Sequence, residues 1–173
     1  RPNKLDKLKN LFRTMSGTFI KMYWVVLGGW DNLSVGNVVD LKSDTKKIIA
    51  EIKNKHNTVT GGSLKNVYDD LESEIMPKSS IYHGYTAYFV NIIPKKATRF
   101  NQEFTPSDKA TGARKHPNRK IRIIDGASFY ELVTGDRDAL KDPDHPHFKR
   151  ERFEWGWNNL LGKNLKHLLE EQQ

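Results

Sequence analysis

The chain has 173 residues, enough for one domain with a real core, and its 36% hydrophobic and 29% charged residues describe a globular protein rather than a disordered one. No apolar run approaches the roughly 20 residues that span a bilayer. The absence of cysteine excludes disulfides, thiol catalysis and cysteine-ligated zinc, and fits a reducing cytoplasm.

The net charge of +8 permits nucleic acid, anionic membrane or an acidic partner, so the location of the charge must decide. The chain opens at Arg1 in the charged stretch RPNKLDKLKN. No signal peptide is expected there, and further residues upstream are expected. Leu5, Leu8, Phe12, Met15 and Phe19 recur at spacings of three and four, which predicts an amphipathic helix with Gly17 inside the pattern. YWVVLGGWDN then runs from an apolar segment into a Gly-Gly turn.

Strands are predicted over Gly36–Leu41 and Ile48–Asn54, joined by the polar turn KSDTKK. After the loop TVTGGS, Ser63 is a candidate cap for a helix whose apolar face is Leu64, Val67, Tyr68, Leu71 and Ile75, ended by Pro77. YTAYFVNIIP, from Tyr85 to Pro94, is almost continuously apolar and reads as a strand buried on both faces. The segment 95–120 is polar and charged, with few core candidates. IRIIDG reads as another buried strand and ASFYELVTG as a short helix closed by Gly135. A polar, Pro-interrupted stretch leads to a C-terminal helix at about residues 157–171, with Leu161, Leu165, Leu168 and Leu169 on one face. This order predicts one α/β domain over residues 1–173, a mixed central sheet flanked by helices.

The chemistry gathers in NVVDLKSDTKKIIAEIKNKHNT. Alternation puts Glu51 and Lys53 on one strand face, with Ile52 turned to the core. If the two strands pair, Asp40 shares that face. Carboxylates so close repel unless a cation lies between them, and Mg²⁺, a hard ion that prefers oxygen ligands, suits the place. Lys53 could then orient or deprotonate a water, or stabilise charge on a phosphate. The bland alternative is an exposed hairpin whose polar face carries these charges. Asp44 is a rival to Asp40, although it falls in the turn. Lys55 continues the Glu51–Lys53 face and could touch phosphate; His56 and Asn57 end the strand and could reach DNA or simply cap it.

The stretch VVDLKSDTKKIIAEIKNKHNT resembles the active-site hairpin of the PD-(D/E)XK nuclease superfamily. With AEIKNKHNT, RIIDGASFYELVTG and MYWVVLGGWDN, the chain from about Phe19 to Leu140 is similar to type II restriction endonucleases that cut interrupted GG-N-CC or GG-W-CC sites. The resemblance implies the restriction-endonuclease-like fold, with Asp40 and Glu51 binding Mg²⁺ beside the Ile52 backbone carbonyl and Lys53 catalytic. It implies a double-stranded DNA substrate, no organic cofactor and no membrane. The proline that names the motif is absent, Val39 standing before Asp40. Cutting both strands of a palindrome is simplest for a homodimer.

Between Pro94 and Lys120, eight basic residues (Lys95, Lys96, Arg99, Lys109, Arg114, Lys115, Arg119 and Lys120) face two acidic ones, +6 of the chain's +8. Such a run is commonly a solvated loop, but a loop this long is unusual without a function. It is expected to contact DNA, with Arg99, Arg114 and Arg119 as candidate guanine readers. His145 and His147 lack an evident third metal ligand, Trp155 and Trp157 read as packing residues, and Asp125-Gly126 reads as a turn rather than a second acidic site. The competing functions are a non-catalytic DNA-binding module that keeps the nuclease fold and, further off, a structural or RNA-binding protein.

Overall fold

A computed structural model of the chain describes residues 29–33, 37–55, 61–96, 98–108 and 110–137, without the side chains of Asn54, Lys55, Gly61 and Gly62. The helices expected over Leu5–Phe19 and at about 157–171 lie outside the described residues, as does the stretch holding His145, His147, Trp155 and Trp157.

The elements run β1 (Asp31–Asn32), β2 (Leu41–Ser43), β3 (Ile48–Lys55), α1 (Gly61–Ile75), β4 (Thr86–Ile93), β5 (Asn101–Glu103), β6 (Ile121–Asp125) and α2 (Gly126–Thr134). The strands form one sheet in the order β1-β2-β3-β4-β6-β5. Its centre, β3-β4-β6, is parallel, and the edges join antiparallel. The expected mixed sheet flanked by helices is therefore observed.

Alternation along the central strands divides the core into two layers. Ala50, Ile52, Tyr88, Val90 and Ile124 pack with Trp30 and with Phe129 and Tyr130 of α2. Ile49, Ala87, Phe89 and Ile121 pack with Tyr68, Leu71 and Ile75 of α1. Each helix thus buries one apolar stripe, and the sheet between them has no solvated face along most of β4. Ser63, expected as a cap, lies inside the first turn of α1, which begins at Gly61.

Asp125 starts α2 as an N-cap, accepting from Ser128 N–H at 3.0 Å, while its other carboxylate oxygen accepts from Phe100 N–H at 2.6 Å. A buried carboxylate spent on two backbone donors caps the helix here, where the sequence predicted a turn. Gly126 follows because nothing larger fits: a Cβ there would lie 2.5 Å from Ile92 O. Gly135 closes α2 in the left-handed region (φ 76°), its N–H donating to Glu131 O.

Two expectations need correction. The first strand of the hairpin is Leu41–Ser43, not Gly36–Leu41. Asp40 N–H still donates to Ala50 O at 2.9 Å, but its own side chain takes the next ladder proton, from Ile52 N–H at 2.8 Å. A carboxylate standing in for a strand carbonyl ends the regular pairing there. Lys42 and Ser43, assigned to the turn, are strand residues; Lys42 is held by Asp44 and Asp31, and Ser43 is buried. The second correction concerns 95–120, which is not one continuous loop. Within it β5 pairs with β6, and Phe104 is buried, stacking on Phe89 at 5.2 Å and lying 6.0 Å from the Tyr68 ring.

Candidate active site

The regular ladder ends at Leu41 opposite Ala50; beyond it Asp40 N–H also turns to Ala50 O, and the Asp40 carboxylate reaches Ile52 N–H and lies beside the Glu51 carboxyl. Glu51 follows Ile49 by two residues and so shares its α1 face. Lys53 lies two residues beyond Glu51, again on the α1 face, and its ammonium donates to Glu51 Oε1. The Glu51 side chain is 14% exposed and that of Lys53 32%, so the group borders solvent without being immersed in it.

Burial pushes the Glu51 carboxyl above the ordinary carboxylate range; the Lys53 hydrogen bond opposes this, and the charge of Asp40 adds to it. One ammonium against two carboxylates leaves net negative charge at a half-buried place. Among the described residues no group of three or more His, Cys, Asp or Glu side chains is arranged to hold a metal ion. Two carboxylates with backbone carbonyl and water oxygens fit Mg²⁺, a hard cation that keeps several waters when protein-bound. In an extended strand the N–H and C=O of one residue point to the same edge. Ile52, whose N–H meets Asp40, therefore aims its carbonyl toward that side too.

The other candidates divide by position. Asp44 sits in the turn at the far end of the hairpin, held by Lys42 and by the Tyr85 hydroxyl at 3.0 Å. Lys55 continues β3, opposite Ile93, but its side chain, His56 and Asn57 lie outside the described residues; so does Lys109. Lys95 and Lys96 are exposed just past the C-terminal end of β4. Because β3 and β4 run parallel with Lys53 opposite Asn91, that is the end of the sheet holding Glu51 and Lys53.

Arg119 and Lys120 precede β6 and lie at the other end, where Lys120 Nζ donates to Gly84 O at 2.9 Å. Lys115 is drawn onto α1 by Asp69 and Glu72 and lies over the Tyr68 ring. Arg114 is exposed. Arg99 is bound to α2 and the residues after it, donating to Ala127 O, Glu131, Ser128 and Arg137 O. The segment read as one basic loop is thus spread over several surfaces.

Sequence reasoning passed over Asn91. It lies on the α1 face between Lys53 and Asp125 in the ladder and is half-buried. The signal was an amide inside the otherwise apolar FVNII.

A mixed sheet with a helix on each face is the restriction-endonuclease-like α/β fold. More narrowly, the chain belongs to the Eco47II restriction endonuclease family, whose pattern matches residues 6–143. It is 52% identical over 126 residues to the type II restriction enzyme Eco47II of Escherichia coli, covering 73% of this chain and 53% of that enzyme. It is 34% identical over 128 residues to the type II restriction enzyme Sau96I of Staphylococcus aureus, covering 72% of this chain and 48% of that enzyme. The chain spans about half the length of the curated relatives it matches. No solved structure matches it. Among the described residues no helix is long and apolar enough to cross a membrane.

Proposed function

We propose that the protein is a Mg²⁺-dependent type II restriction endonuclease, hydrolysing phosphodiester bonds at a specific site in double-stranded DNA. The observation that carries this reading is the closeness of the Asp40 and Glu51 carboxyls beside the Lys53 ammonium at one end of the sheet. Membership of a restriction endonuclease family supports it. Asp40, Glu51 and the Ile52 carbonyl would hold the cation, which when bound supplies a more acidic water and neutralises charge on the phosphate. Lys53 contributes an ammonium that can orient the attacking water or stabilise the negative charge developing on the phosphate oxygens. The half-buried setting strengthens that attraction relative to bulk water.

Lys95 and Lys96, at the same end of the sheet, are the first candidates for backbone phosphate contacts. Lys55, Asn57, Lys109, Arg114 and Arg119 remain proposed DNA contacts further out, and Lys115, Lys120 and Arg99 would serve mainly by shaping the surface. A homodimer would bring one site to each strand of a palindrome, and the reading carries a cytoplasmic location with it. Digestion of a sequenced plasmid by the full-length protein, with Mg²⁺ and with EDTA, tests the proposal. Discrete fragments with mapped ends at a GG-N-CC or GG-W-CC site, formed only with the metal, are expected. Site-specific binding without cleavage at any divalent metal would instead leave a DNA-binding module.

A further inference from the structure

The active face holds a polar side chain that the proposed chemistry leaves unused. Asn91 lies directly opposite Lys53 on the adjoining parallel strand, a neighbour at the ~4.8 Å spacing of paired strands. Ile49, Ala87 and Phe89 pack toward α1, so the alternation that turns Glu51 and Lys53 to that face turns Asn91 there too. Asn91 is half-buried, yet its carboxamide has no hydrogen-bond partner among the described residues. The next polar residue in line, Asp125, is committed to Ser128 and Phe100.

Lys53 is the group that needs a second acceptor. Its ammonium is bonded to Glu51, while Asp40 Oδ2 is held by Ile52 N–H. A divalent cation taken up by the two carboxylates would compete for Glu51 and repel the ammonium. A half-buried ammonium cannot be left without an acceptor at small cost. We propose that Asn91 is a positioning residue whose Oδ1 accepts a hydrogen bond from Lys53 when Glu51 is engaged by the cation, keeping the ammonium aimed at the scissile phosphate. The inference rests on the metal-dependent reading of the site. An amide suits the task because it accepts without adding a third negative charge that would draw the cation out of place.

The test uses the full-length protein and two variants. Asn91→Leu keeps the side-chain volume and removes the acceptor; Asn91→Asp keeps an acceptor. The lysine ammonium ¹⁵N–¹H signals are recorded in the Ca²⁺ complex with a cognate duplex, with Lys53 assigned by Lys53→Arg. Kinetics in Mg²⁺ and thermal unfolding in EDTA accompany them. Wild type and Asn91→Asp should show a hydrogen-bonded Lys53 signal that Asn91→Leu loses. Asn91→Leu should also lower kcat about 10-fold with KM and the metal-free Tm unchanged, and Asn91→Asp should recover part of the loss. A Lys53 signal and a kcat unaffected by Asn91→Leu would overturn the proposal. Equal losses in both variants with a fallen Tm would also overturn it, showing a packing role. Lys53→Ala is the control: wild-type cutting by that variant would sink the reading of the whole site, and this proposal with it.

Discussion

Burial and the facing Asp40 both disfavour the ionised form of Glu51, with the Lys53 ammonium opposing them. A carboxyl whose pKa is raised by folding holds its proton more tightly in the native state than in the unfolded chain. Stability from that group is fully present below the unfolded-state pKa and is lost as pH rises through the raised folded-state pKa. Glu51→Gln removes the charge, so the metal-free variant should be more stable than wild type at neutral pH, by about 0.5–2 kcal/mol. The difference should shrink in acid as wild-type Glu51 becomes protonated. Urea unfolding in EDTA at two pH values measures it, and a less stable variant at neutral pH would mean that the Lys53 pair outweighs the burial. Lys53 itself should act on turnover rather than on metal affinity. Lys53→Ala is expected to slow single-turnover cleavage by roughly 100-fold or more while calorimetric Mn²⁺ binding stays near wild type.

The site depends on elements that were unequally legible in the sequence. β4 was visible because burial on both faces removes all alternation from YTAYFVNIIP. α1 was visible because its apolar spacing matches the helical period. β5 was not: Asn101, Gln102 and Glu103 carry no strand signal and are extended only because β6 offers them an edge. Phe104, lodged between Phe89 and Tyr68, shows that a charged segment can be anchored by one ring whose partners are remote in sequence. Phe104→Ala should therefore cost about 3–5 kcal/mol, read by urea unfolding. Loss of less than 1 kcal/mol would show the segment to be held by its strand pairing alone. Asp40 and Glu51 were legible as neighbours in a hairpin, but the start of β2 was not, because Asp40 replaces a backbone acceptor with its own side chain. Asn91 was visible as a polar residue in an apolar run, while its register with Lys53 exists only in the folded sheet. At the α2 junction, Gly126→Ala would drive a methyl against Ile92 O and should destabilise by about 1–3 kcal/mol.

Among the described residues of the segment 95–120, basic side chains lie at both ends of the sheet. Lys95 and Lys96 flank the end that holds Glu51 and Lys53, whereas Lys120 lies about four strand residues away, some 13 Å at ~3.3 Å per residue, where it caps Gly84 O. Phosphate contacts near the scissile bond should then come from the first pair. Replacing Lys95 and Lys96 by alanine should lower the slope of log K against log salt by about two. Replacing Arg119 and Lys120 should change it by less than one, and an equal effect of both pairs would show that DNA covers both ends.

The account turns on Asp40, the carboxylate that interrupts one strand in order to face another. Its most direct test is the single-turnover cleavage rate of Asp40→Asn full-length protein on a cognate duplex in Mg²⁺, beside Asp44→Asn. A fall of at least about 100-fold for Asp40→Asn, with Asp44→Asn cutting like wild type and both binding the duplex in Ca²⁺, is the predicted result. Wild-type cutting by Asp40→Asn, or the loss falling on Asp44→Asn instead, would contradict it.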